Sequence, residues 1–334
     1  MNRLADRLTA SAFHRLLWFP TGETVRRWAL AAVVVNAGIA VTGAAVRLTG
    51  SGLGCPTWPR CTPDSFVPAA HDEHSSVNMA IEFGNRLLTF LVLAVAVACV
   101  VAAVRLGRSK GERGRPVLVR LAALQPIGVL VQALWGGLVV RTLLNPVTVS
   151  VHFFLSIGMI AASYALFARA GEGDEPVTPL VRRDIRALGF ALAAAVVVLV
   201  VAGVVVTGTG PHSGDEAASR FGFDIESVVR LHTDVAYVVV GLTFALMFAL
   251  RVTDAPGRAM RAALALLGVE LAQGVIGYVQ YFLAVPALLV GVHVLGATLV
   301  WIATLRVVFL LRSRGPAGSA AAPDDLAGLR HAVV

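Results

Sequence analysis

The chain has 334 residues, of which 57% are hydrophobic and only 14% charged, with 28 Lys and Arg against 20 Asp and Glu. That balance excludes an ordinary water-facing surface and marks an integral membrane protein. A net charge of +8 could suit a nucleic acid, but the basic residues fall where membrane topology alone demands them, so no nucleic-acid partner is expected.

Taken in chain order, eight apolar runs are long enough to cross about 30 Å of hydrocarbon as helix. They span approximately 28–47, 79–104, 117–140, 147–169, 185–207, 229–252, 258–282 and 287–311. None shows the polar dyad of a barrel strand, so helices are expected throughout. Arg3, Arg7, Arg15, Arg26 and Arg27 precede the first run; that lead is long for a cleaved signal peptide, and the run is read as a retained helix. Arg105, Arg108, Lys110, Arg113 and Arg115 link the second run to the third, and Arg182, Arg183, Arg251, Arg258, Arg261, Arg312 and Arg314 fall on the same side. The basic loops therefore predict an N-in, C-in protein of the cytoplasmic membrane.

The expected fold is all-α, with eight transmembrane helices in two pseudo-symmetric four-helix bundles. A cytoplasmic segment (1–27) precedes the N-terminal bundle (28–170), a linker (171–184) leads to the C-terminal bundle (185–312), and the Ala, Gly and Pro-rich tail (313–334) is expected to be disordered. The pseudo-symmetry comes from a repeat. Gln132, Gly136 and His152 recur at the same intervals as Gln273, Gly277 and His293, with Pro146 and Pro286 marking the outer turns between them. Val41-Thr42-Gly43 and Val206-Thr207-Gly208 extend it weakly to the first and fifth helices.

After the first run comes LTGSGLGCPTWPRC, residues 48–61, holding two of the three cysteines. On the outer side of the membrane Cys55 and Cys61 suit a disulfide closing a small loop; a redox-active pair facing an external reductant is the rival reading. Cys99, inside the second run, reads as a buried apolar residue.

His152, His232 and His293 all lie within roughly 10 Å of the outer boundary at the helical rise of 1.5 Å per residue. A lone intramembrane histidine is often an interhelical hydrogen bond. Three at one depth, two on alternate helices of one bundle, point instead to heme, with His232 and His293 gripping one iron. Glu82, an expensive carboxylate in a membrane helix, either pairs structurally with Arg86 one turn on or moves protons beside a heme pocket. His71, His74 and His212 read as solvent-facing loop residues, Asp234 and Glu270 as helix-internal polar partners, and Arg47 as a propionate contact or a snorkelling side chain.

VRLTGSGLGCPTWPRC, residues 46–61, closely resembles the first outer loop of the heme A synthase family, and IEFGNR, residues 81–86, resembles that family's Glu-x-x-His-Arg motif. The resemblance covers nearly the whole chain. It implies an enzyme that oxidises the C8 methyl group of heme o to a formyl group, supplying heme a to cytochrome c oxidase. It further implies a heme b held by His232 and His293, a substrate heme ligated by His152 in a pocket shared with Asn85 and Arg86, Glu82 as the catalytic acid, and a Cys55–Cys61 disulfide. Asn85 departs from the family, standing where histidine is usual; an amide is a poor iron ligand, so the substrate iron is expected to keep one open face or the activity to be altered. Many family members carry a second cysteine pair in the third outer loop, and here that loop must be held otherwise. The electron donor, ferredoxin-like or a quinol, is left open, as are homo-oligomerisation and contacts with heme o synthase or oxidase assembly factors. The rival functions are a b-type cytochrome that only carries electrons and a solute transporter built on parallel repeats.

Overall fold

The computed structural model describes residues 20–68, 75–109, 115–216 and 218–316. The expectations for His71, His74, residues 1–19 and the tail after 316 lie outside the described residues. Eight helices follow one another: α1 (Gly22–Leu48), α2 (Ser76–Ser109), α3 (Pro116–Arg141), α4 (Pro146–Ala170), α5 (Arg183–Thr209), α6 (Ile225–Val252), α7 (Gly257–Phe282) and α8 (Ala287–Leu310). All eight are long and apolar enough to cross a membrane, and the protein is a multi-pass membrane protein.

Local chemistry sets the helix ends. Thr21 and Thr24 cap α1 reciprocally, each hydroxyl accepting the other's backbone N–H, at 3.2 and 3.1 Å. The capping box satisfies donors that would otherwise be orphaned, so α1 starts a turn and a half before its apolar run. Pro116 and Pro146 open α3 and α4, where a missing N–H costs nothing. The Asp224 carboxylate accepts from the Ser227 backbone N–H at 2.8 Å and starts α6.

In the N-terminal half α1 packs on α2 and α4, and α3 closes the ring between α2 and α4. In the other half α6 lies between α5 and α7, and α8 between α7 and α5. The two halves meet where α8 lies against α1 and α4. Along that seam the Trp301 indole Nε1–H donates to the Ile157 carbonyl at 3.1 Å, a buried link between α8 and α4. The N-terminal core is built on small side chains, with Ala29, Ala32, Cys99, Ala102 and Ala122 all buried, which lets backbones approach closely. Large apolar residues such as Phe90, Phe190 and Phe248 point outward, as expected of a surface that faces lipid rather than water.

Membrane burial forces polar groups into pairs. Asn36 of α1 donates to the Ser163 hydroxyl of α4 at 3.0 Å, and Ser163 donates to Gln125 Oε1 of α3 at 2.8 Å. In the C-terminal half Thr243 of α6 donates to Glu270 Oε1 of α7 at 2.9 Å, while Glu270 Oε2 is buried without a partner. At the end of the molecule away from the histidines, β1 (Thr178–Pro179) pairs antiparallel with β2 (Arg312–Ser313). There Arg115, only 8% exposed, donates to Asp174 and to the Arg169 and Glu172 carbonyls, and Glu172 holds both Arg169 and Arg312.

The repeat has a geometric counterpart in the turns α3–α4 and α7–α8. Leu143 and Leu144 in one, and Ala284 and Val285 in the other, take left-handed backbone angles at matching positions. The Leu144 N–H donates to the Val139 carbonyl and the Val285 N–H to that of Gln280, the same closure in both. Left-handed geometry is costly for branched residues, so a turn recurring in this form is set by its surroundings, not by propensity.

Candidate functional site

His232 projects from α6 and His293 from α8, helices that sit on opposite corners of the C-terminal ring. Their imidazole centroids are 6.3 Å apart with planes inclined by 69°. Glycines make room on the flanking helices: a Cβ at Gly203 of α5 would fall 3.1 Å from His232 Cε1, and one at Gly277 of α7 would fall 3.7 Å from His293 Cε1. Gln273 donates to the His293 carbonyl at 3.0 Å and occupies the space left by the absent side chain of Gly296.

These residues fit a heme iron. Two nitrogens each about 2 Å from one metal ion, on rings whose centres lie about 1 Å farther out, require centroids about 6 Å apart. The Nδ1 atoms of His232 and His293 are buried with no hydrogen-bond partner, so neither makes the interhelical bond a structural histidine would make through that atom. For His232 the Leu199 backbone is a neighbouring polar group short of hydrogen-bond geometry. Among the described residues no three His, Cys, Asp or Glu side chains gather as a protein-only metal centre. A heme iron needs no such cluster, because the macrocycle supplies the equatorial ligands.

In the N-terminal half the matching histidine is alone. His152 of α4 faces Gly136 of α3, where a Cβ would lie 3.4 Å from Cε1, and its Nδ1 is likewise buried and unpartnered. Gln132 donates to the Ser156 hydroxyl at 2.8 Å, and Ser156 donates to the His152 carbonyl at 3.1 Å, so a serine intervenes where Gln273 reaches its carbonyl directly. Asn85, on α2 at the corner opposite α4, is engaged by the Thr42 hydroxyl of α1 at 2.8 Å.

Glu82 and Arg86 form a clamp. The Arg86 guanidinium meets Glu82 Oε1 at 2.6 Å and also donates to the carbonyls of Cys55 and Thr57, while Glu82 Oε2 accepts the Cys55 N–H at 2.6 Å. Both partners thus hold the loop after α1 onto α2 by charge-assisted bonds. Trp58 packs flat on Gly137 of α3, where a Cβ would fall 2.5 Å from the indole, and ties the same loop to a third helix. Cys55 and Cys61 are joined by a disulfide and are 0% and 1% exposed, which favours the loop-closing reading over a pair open to an external reductant. Cys99 is fully buried, as expected.

Three expectations change. His212 is half-buried rather than simply solvent-facing: its Nε2–H donates to the Val285 carbonyl at 2.9 Å. Of the two readings of Arg47 the snorkelling one gives way, because its Nε and Nη2 donate to the carbonyls of His212 and Thr207. Asp234 is exposed rather than an internal partner, whereas Glu270 does pair with Thr243. Gly203 and Thr42 were not legible as site residues: a glycine opposite an imidazole leaves no mark in sequence until the helices are paired.

Fold and site together define a polytopic helical membrane protein that presents paired imidazoles between diagonal helices. The chain belongs to the COX15-CtaA family, described as cytochrome oxidase assembly protein, whose model matches residues 26–305. It is also similar to the heme A synthase of Geobacillus thermodenitrificans, with 32% identity over 142 residues, and to that of Geobacillus kaustophilus strain HTA426, with 31% over 140. Those alignments cover 42% of this chain and 41% of each relative, so the chain matches less than half the length of the curated relatives.

Proposed function

We propose that the protein is a heme A synthase, an oxidoreductase that converts the C8 methyl group of heme o to a formyl group and so supplies heme a to cytochrome c oxidase. The observation that carries the reading is the His232–His293 pair, 6.3 Å apart across a four-helix ring, in a chain of this family. In the proposal the two imidazoles hold a heme b, and the separation of the rings and the glycine seats support that assignment. Bound there, heme b supplies one-electron transfer.

His152 is the proposed ligand of the substrate heme. Opposite it Asn85 offers an amide that Thr42 already engages, which leaves one face of the substrate open to oxygen. Oxidising a methyl group to an aldehyde removes four electrons; we write it as two hydroxylations, to an alcohol and then to a gem-diol that loses water. Each hydroxylation takes up one O2 with two electrons and two protons from an external donor and releases one water. Glu82 is the proposed catalytic acid. Its carboxylate oxygens accept from Cys55 and Arg86, so in the resting protein it holds the loop in place, and proton transfer would pass through Oε1 or Oε2 as those bonds loosen. The histidine end is assigned to the outer side of the membrane by the positive-inside rule, which places both termini inside.

Expressing the protein with heme o available and extracting membrane hemes tests the assignment: a formyl-bearing product is expected. A heme b spectrum with heme o left unchanged would make the protein a b-type electron carrier instead.

A further inference from the structure

We propose that Arg47, His212 and Gly214 form a latch that keeps the two histidine-bearing turns in register, and that His212 is a positioning residue for the heme ligand His293. The inference rests on the heme reading above and adds to it a route by which the outer loop between α5 and α6 acts on the site.

Four bonds converge on a few residues. Arg47, at the end of α1, donates from Nε to the His212 carbonyl at 2.6 Å and from Nη2 to the Thr207 carbonyl at 2.9 Å, crossing from the N-terminal half to the C-terminal one. The Gly52 N–H, in the clamped loop, donates to the Gly214 carbonyl at 2.9 Å. His212 Nε2–H donates to the carbonyl of Val285 at 2.9 Å. A carbonyl can only accept, so the neutral ring is the Nε2–H tautomer. Ser213 between them is 6% exposed, so the segment is packed rather than draped over the surface.

The place where these bonds end makes the cluster more than a loop anchor. Val285 and Leu144 are the matching left-handed residues of the two repeated turns, and His293 follows Val285 by the same interval as His152 follows Leu144. One short segment touches both. Val285 is held through its carbonyl, and Leu144 packs its Cδ1 against Gly52 and Gly214, where a Cβ would fall at 2.6 and 3.2 Å. Gly214 itself has φ +105°, which a side chain would strain, and a Cβ there would also press on Arg47 Cγ at 3.4 Å. The chain has no cysteine in this loop. The hydrogen-bonded hub therefore does the holding, and it carries strain at Leu144 and Val285 that an unsupported turn would release by rotating the helix start that follows.

Rotation of α8 would change the angle between the His232 and His293 rings, and the largest g value of a ferric bis-imidazole heme reports that angle. The test uses purified holoprotein and low-temperature electron paramagnetic resonance. His212→Ala and Arg47→Leu should each displace the largest g value while cofactor is retained. His212→Gln, whose amide N–H can still reach the Val285 carbonyl, should restore it. Loss of thermal stability with the g value unmoved in both variants overturns the latch and leaves only a structural loop contact. If neither variant accumulates, Arg47→Lys decides on the same signal: it keeps the charge but cannot serve both carbonyls, so a displaced g value supports the proposal and an unmoved one overturns it. Absence of a bis-imidazole signal in the unaltered protein would overturn the heme reading beneath it, a distinct result.

Discussion

The two halves share a turn, a glutamine, a glycine and a histidine, yet they finish their sites differently. The C-terminal half closes one with imidazoles from diagonal helices, 6.3 Å apart. The N-terminal half carries His152 on α4 and, on the diagonal helix α2, an Asn85 amide tied to Thr42, and it commits Glu82 and Arg86 to the disulfide loop. On the proposed reading, a repeated frame supports a saturated ligand pair in one half and an unsaturated one in the other. In the proposed enzyme that difference separates a resident electron-transfer heme from a substrate that must react.

The largest expected effect comes from erasing the closed site. Replacing both His232 and His293 by Ala should abolish heme b absorption in purified protein, and an unchanged spectrum would dissolve the distinction between the halves. Next is the clamp. Glu82→Gln should retain heme b but yield no heme a in extracted membranes; normal heme a would remove Glu82 from the reaction. Arg86→Ala leaves the Glu82 carboxylate, with a side chain 8% exposed, without its ion partner, at a cost of about 3 kcal/mol read as a lower Tm.

Converting one half into the other is the sharper experiment. Asn85→His should supply a second imidazole opposite His152 and turn a high-spin signal of the substrate-loaded protein into a low-spin one. An unaltered spectrum would mean that Asn85 does not face the substrate iron. The glycine seats give a smaller contrast: Gly203→Ala, with a Cβ 3.1 Å from His232, should shift the heme b spectrum, whereas Gly277→Ala, at 3.7 Å from His293, should be tolerated.

The smallest effect concerns Asp224, whose carboxyl the Ser227 side chain and N–H hold below the usual carboxylate range. A lowered folded-state pKa stabilises above the unfolded value, near 3.9 for Asp, and that contribution fades as pH falls through the folded-state value. Asp224→Ala should therefore lower Tm slightly at neutral pH, and the gap to the unaltered protein should close in acid.

By itself the sequence determined the eight spans, the disulfide pair and the spacing of the histidine-bearing repeat, because hydropathy, length and residue type act locally and survive without any neighbour. It also marked Gln132 and Gln273 as equivalent, and both reach toward the turn that holds a histidine. Only the tertiary structure decided that Glu82 grips Cys55, that Arg47 and His212 bind distant carbonyls, and that Gly203 seats an imidazole. Each of these joins residues from separate helices or loops through a directional bond or a void the size of a methyl group. Such contacts exist only once packing has fixed the distance and angle between partners, which no local pattern of residues encodes.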